Sequence, residues 1–225
     1  MNTVQNTLNK VLDLGGPVVL LLLAVSVLTS ALVLYKIWQY RAARVGQHRA
    51  LAAAVAAWDR GEAEAARHSL SHSKSYLVPV MRLALDGTPD QMQADRADAE
   101  AEERFSHLER GLGTLDMVAQ LAPLLGLFGT VIGMIEAFRK LQSAGASVDP
   151  SLLAGGIWVA LLTTAAGLAV AMPVSLVLSW LTARMQRERV FANRALRTVF
   201  APSSPLQSSP APAPAASPLQ VAHGG

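Results

Sequence analysis

Three long apolar blocks, uncharged through their centres, constrain this chain more than any other feature. The first, PVVLLLLAVSVLTSALVL (residues 17–34), is about long enough to cross the roughly 30 Å hydrocarbon core of a bilayer. The second runs over residues 117–138 and is closed by Arg139 and Lys140. The third, residues 152–181, is about 30 residues long, which exceeds one bilayer thickness and implies tilt or extension beyond the membrane. With 52% hydrophobic residues gathered into such blocks, the chain is expected to be an all-α integral membrane protein with three transmembrane helices. The absence of cysteine rules out disulfides and thiolate metal sites. The net charge of +3 does not point to nucleic acid, because the arginines stand beside the apolar blocks, where topology explains them.

Lys36, Arg41, Arg44 and Arg49 follow the first block, and Arg184, Arg187, Arg189, Arg194 and Arg197 follow the third. Basic residues favour the cytoplasmic side, so the amino terminus is expected outside and the carboxyl terminus inside. Arg139 and Lys140 then fall in a short outer loop, mildly against that rule. A cleaved signal peptide fits poorly, since Lys10 is offset by Asp13 and the basic cluster comes after the apolar run. Tyr35, Trp38 and Tyr40 are read as an interfacial belt on the basic side.

The expected organisation is an outer N-terminal segment (1–16), a first span (17–38), a cytoplasmic helical loop (39–112) and a second span (113–138). A short outer loop (139–151), a third span (152–181), a cytoplasmic helix (182–200) and a Pro/Ala/Ser tail (201–225) complete it. The polar region is rich in Ala, Glu, Arg and Gln, with breaks at Gly61 and Asp86-Gly87-Thr88-Pro89, and reads as helices joined by turns. Thr88-Pro89-Asp90 is a helix start. No stopper stands out between Pro89 and the second block, which is therefore expected to be the outer end of one long helix. The tail holds six of the twelve prolines and has too little apolar surface to order itself.

On a helix, Gly156, Ala160, Thr163 or Thr164, Gly167 and Ala171 recur at three- and four-residue spacing, with Pro173 beyond them. The second span carries a matching stripe from Pro123 through Gly126, Thr130 and Gly133 to Ala137. Such stripes are shallow surfaces on which another helix packs closely, the hydroxyls bonding to their own helix or a neighbour. The second possibility is that they line a central space holding a foreign helix. Hydroxyls both donate and accept, so they can solvate a carboxyl group in either protonation state.

The stretches LAPLLGLFGTVIGM (121–134) and GGIWVALLTTAAGLAVAMP (155–173) resemble the paired signatures of the ExbB/TolQ family, relatives of the flagellar stator subunit MotA, and most closely those of ExbB. The resemblance covers residues 102–181 by motif and 10–200 by topology and loop sizes. It implies a ring of five subunits in the bacterial inner membrane, driven by the proton gradient. That ring encloses the helices of an ExbD-like or TolR-like partner whose aspartate carries the proton. A TonB-like or TolA-like protein would deliver the work, energising outer-membrane transport in an ExbB system or envelope integrity in a TolQ system. By the same resemblance, Thr130 and Thr164 fall on the family's second- and third-span threonines, with Thr163 beside them.

One departure concerns Val159, which stands where ExbB proteins commonly carry a glutamate five residues before the third-span threonine. Either that glutamate is dispensable for proton passage in this branch, or the chain is an altered member; the first is preferred, because MotA-like relatives manage with the partner's aspartate and hydroxyls. Glu136 is expected to pair locally with Arg139 or Lys140. Asp116 and Gln120 are candidates for the inner mouth of the pore. His68 and His72 have the spacing of a helical metal pair but no third ligand, and with His48, His107 and His223 are read as solvated. No nucleotide loop, nucleophile elbow or metal motif is present, so neither a cofactor nor enzymatic activity is expected. A passive membrane scaffold is the alternative from another class.

Overall fold

The computed structural model describes residues 2–87, 90–143 and 150–204. Thr88, Pro89, residues 144–149 of the loop after the second span, and the tail from residue 205 with His223 lie outside the described residues. The described residues form helices joined by turns: α1 (Asn2–Ala42), α2 (Arg49–Asp59), α3 (Ala63–Ser71), α4 (Val78–Asp86), α5 (Gln91–Glu109), α6 (Leu112–Ser143) and α7 (Pro150–Phe200). Among the described residues, three stretches are long and apolar enough to cross a membrane: Gly16–Ala42, Leu112–Ser143 and Leu153–Phe200. α1 is broken at Gly16, whose φ of 66° lies in the left-handed region, and resumes at Pro17. α7 has 51 residues and, at 1.5 Å per residue, is about 77 Å long, well over twice the hydrocarbon thickness.

The excess length of α7 is the wall on which the polar region is built. α2, α4 and α5 lie against the C-terminal half of α7, and α3 packs on α2 and α4. Their shared core buries Leu51, Trp58, Leu77, Met81, Phe105 and Leu115 against Leu181, Met185, Leu196 and Val199 of α7. The Trp58 indole donates to the Val199 carbonyl at 3.0 Å, fastening α2 to the far end of α7. Asp90 caps α5, its carboxylate accepting from the Gln93 amide at 2.7 Å.

The single helix expected from residue 89 into the second span is two helices. α5 ends at Glu109, Arg110 is extended (φ −53°, ψ 124°), and Gly111 takes a left-handed φ of 91° before α6 begins. Gly111 and Gly113 stand two residues apart in the sequence, a breaker signal that the single-helix reading passed over. The break is supported from a distant part of the sequence. Lys36 of α1, only 1% exposed, donates from Nζ to the Leu108 carbonyl at 3.0 Å and to Gln39 Oε1 at 2.7 Å. Leu108 lies in the last turn of α5, where carbonyls have no helical partner, so this lysine serves as a side-chain cap. Lys36 is thus not part of an exposed basic flank. Tyr40 likewise turns inward at 4% exposure, whereas Tyr35 and Trp38 of the same expected belt face outward.

His48 also departs from its solvated assignment. Its ring stacks on Phe191 with centroids 4.3 Å apart, and its Nε2 lies 2.7 Å from Glu188 Oε2. Tyr76 donates to the same carboxylate oxygen at 2.8 Å. Glu188 is buried in the core, so these contacts stand in for water and join the α1–α2 turn, the entry to α4, and α7.

Candidate functional site

The site is built where α6 meets α7, the most extensive helix pair in the molecule. Lipid tails are as apolar as leucine, so nothing in a bilayer pushes two apolar helices together; close backbone approach must supply the attraction. The small residues provide it. A Cβ on Gly126 would stand 2.9 Å from the Thr163 carbonyl oxygen, and one on Gly167 would stand 2.5 Å from that of Ala122. Farther along, Gly133 faces Ala160 and Gly156 faces Ala137, while Ala171 joins Ala122, Val18 and Leu22 in a small cluster with α1. Gly126, Gly133, Gly156, Ala160, Gly167 and Ala171 therefore form the contact between two helices of one chain. Gly129 belongs with them, its place tight against the Thr163 side chain. It escaped the sequence reading, although Gly126, Gly129 and Gly133 are spaced by three and four residues.

The hydroxyls separate into two kinds. Thr163, expected on a pore lining, is 2% exposed and closed into the α6–α7 contact. Its Oγ1 is within donating distance of the Ala160 carbonyl (2.7 Å) and, across the contact, the Gly126 carbonyl (3.1 Å). Thr164 and Thr130 are less enclosed. Thr164 Oγ1 reaches the same Gly126 carbonyl only at 3.4 Å, the long end of hydrogen-bond geometry. Thr130 donates to the Leu127 carbonyl at 2.6 Å and keeps its oxygen lone pairs for another donor. Pro123 and Pro173 lack an N–H, leaving the Ala119 and Ala169 carbonyls without a helical donor.

Asp116 and Gln120 stand one turn apart near the start of α6, the amide donating to the carboxylate at 2.8 Å. They open onto a groove of about 600 Å³ whose other wall is the α7 face bearing Ser175, Ser179, Thr182 and Gln186. These four were not nominated from sequence. Their spacing of four, three and four residues was nonetheless a helical stripe, and Ser175 lies eleven residues beyond Thr164, about three turns along the same face. Between Asp116 and Glu136 in α6, and from Pro150 to Ala183 in α7, there is no charged residue.

At the opposite end, Val159 and Glu136 line a recess of about 310 Å³ together with Lys140, Gly133, Gly155 and Gly156. The expected local pairing of Glu136 does not form: among the described residues its carboxylate is within ion-pair distance of neither Arg139 nor Lys140. His68 and His72 sit on the surface at the end of α3, with ring centroids 4.6 Å apart.

Comparison with known proteins places these helices in a recognised setting. A model of the MotA/TolQ/ExbB proton channel family matches residues 57–192. A biopolymer transport protein ExbB homolog of Methanothermobacter thermautotrophicus is 32% identical over 197 residues, covering 84% of this chain and 68% of the relative. The biopolymer transport protein exbB1 of Vibrio cholerae is 38% identical over 98 residues, 44% of this chain and 43% of that protein. A biopolymer transport protein ExbB-like 1 of Synechocystis is 38% identical over 120 residues, 48% and 42% of the two chains. The chain thus spans about two thirds of the first relative and under half of the other two.

Proposed function

Because the chain belongs to the MotA/TolQ/ExbB proton channel family, we propose that it is an ExbB-like subunit of a proton-driven motor in a bacterial inner membrane. In this proposal five copies form a ring with the amino termini outside and the α2–α5 bundle in the cytoplasm. α6 and α7 face the axis, where an ExbD-like helix presents a carboxylate to Thr130 and Thr164. A protonated carboxyl donates to a threonine oxygen and a charged one accepts from the hydroxyl, so the same lining serves both states and lowers the cost of carrying the group through a dry segment. Each proton crossing releases about 2.3 kcal/mol per 100 mV. Recharging the carboxylate changes which contact is favourable, so ring and central helix turn or shift relative to each other. A TonB-like protein passes the work to outer-membrane transport.

The observation that carries this proposal is the division between the hydroxyls. Thr163 is consumed in holding α6 to α7, while Thr130 and Thr164 are only half-buried beside that contact on charge-free helix. The test is proton flux in liposomes holding the chain with its ExbD-like partner. Thr164→Val is expected to keep the oligomer and lower flux by about tenfold or more, equivalent to ~1.4 kcal/mol or more on the barrier. Undiminished flux, or none from the parent complex, removes the assignment. A tolA-like rather than a tonB-like neighbouring reading frame would move it to the Tol system.

A further inference from the structure

We propose that the recess between the end of α1 and α7 binds the headgroup of an anionic phospholipid. The recess holds about 620 Å³ and is lined by Arg41, Arg44 and Arg184 with Tyr40, Trp180 and Ile37 among their neighbours; none of its lining residues is acidic. Among the described residues, none of these three guanidiniums is paired with a carboxylate. Three cations drawn together in a recess with no carboxylate in its lining repel one another, the Glu109 and Glu188 charges reaching its Tyr40 wall from outside that lining. The negative end of α1 supplies only about half an elementary charge against them.

The convergence is built rather than incidental. After Ala42 the chain turns back through Arg44 (φ 53°) and Gly46 (φ 85°), held by the Val45 amide donating to the Tyr40 carbonyl at 3.1 Å. Arg44 is the one non-glycine residue in the left-handed region among the described residues, a conformation that needs surrounding structure to hold it. A Cβ at Gly46 would lie 1.5 Å from Arg184 Nη2, so only glycine lets that guanidinium close on the turn. There it donates to the Val45 carbonyl at 2.8 Å, using one of its five N–H groups. Tyr40, 4% exposed, has a hydroxyl with no hydrogen-bond partner among the described residues.

Guanidinium forks match phosphate oxygens two at a time, and basic pockets between membrane helices suit acidic headgroups. With no carboxylate in the recess, the ammonium of a zwitterionic headgroup would find no partner. Position selects lipid over a soluble phosphate. The recess lies at the end of the Gly16–Ala42 span, flanked by outward-facing Leu34, Trp38, Leu176 and half-exposed Trp180, which offer acyl chains an apolar surface and the headgroup level an aromatic rim.

The test is native mass spectrometry of the full chain in detergent, titrated separately with phosphatidylglycerol, phosphatidylcholine and glycerol phosphate. Retention of phosphatidylglycerol at least tenfold above phosphatidylcholine is expected, falling about tenfold in Arg41→Gln/Arg44→Gln and staying unchanged in Arg194→Gln/Arg197→Gln. Both substituted arginines are exposed, and circular dichroism verifies the fold; should the double variant fail to accumulate, Arg41→Gln alone is expected to lose several-fold. Equal retention of the two lipids, no loss in either variant, or glycerol phosphate binding as tightly as lipid would each overturn the proposal. So would loss of the oligomer with lipid retention intact, which would mark the recess as a contact between copies.

Discussion

The two halves of this molecule are held together by opposite means. In the α2–α5 bundle the large side chains point inward: Phe105, Leu77, Met81 and Leu51 are all at most 2% exposed. In the membrane half they point outward, with Leu124, Phe128, Leu161 and Trp158 more than half exposed, and the contact is made by glycine, alanine and one threonine. Water drives the first arrangement, because burying apolar surface there is favourable by about 25 cal/mol per Å². Lipid removes that drive, leaving close packing and hydrogen bonds between backbones to hold α6 to α7. The polar groups follow suit. The bundle buries a carboxylate by surrounding it with His48 and Tyr76, whereas the spans bury the hydroxyls of Thr29 and Thr163 and keep charge out of their centres.

The contrast implies different costs for equally small changes. Phe105→Ala is expected to have the largest effect, about 3–5 kcal/mol from lost transfer energy and the cavity left behind, read as a lowered unfolding temperature of the detergent-solubilised protein. Gly167→Ala adds one methyl group but places it against the Ala122 backbone; about 1–3 kcal/mol is expected, with α6 and α7 forced apart and less oligomer recovered by size exclusion. An unchanged yield of oligomer would mean that close approach is not what holds the span. Thr163→Val should cost about 1 kcal/mol, the scale of one hydrogen bond in a membrane protein, and leave proton flux near parental, separating it from Thr164→Val. The smallest effect is confined to alkaline pH. Burial first, and then the neighbouring Glu188 charge and hydrogen bond, push the Tyr76 hydroxyl above its ordinary 10.0. The unfolded chain releases that proton first, so the stability Tyr76 contributes is present below about pH 10 and declines above it. Tyr76→Phe should flatten that part of a stability profile measured by chemical denaturation; an unaltered slope would mean the hydroxyl is not held by the bundle.

The spans, the glycine stripes and the family signatures were legible because each depends on local composition or on helical spacing. Lys36 was not. Nothing in its neighbourhood distinguishes a snorkelling flank residue from a cap for a helix 72 positions away. His48 was similarly opaque, its partner Glu188 being 140 residues distant. The stop at Gly111 had a signal in the Gly111-Leu112-Gly113 run, but a glycine ends a helix only where tertiary contacts support the turn. The Ser175, Ser179, Thr182 and Gln186 stripe was readable in principle, being purely periodic.

What the sequence determined by itself is which segments can enter lipid and which faces of them are small, since hydropathy and helical period are properties of the chain alone. Only the tertiary structure decided that the α6 and α7 stripes face each other, that Thr163 is enclosed while Thr164 is left half-buried, and that three arginines from two distant segments meet at one recess. Neighbouring threonines on a helix differ by about 100° in direction, and only the position of the second helix determines which of them it covers.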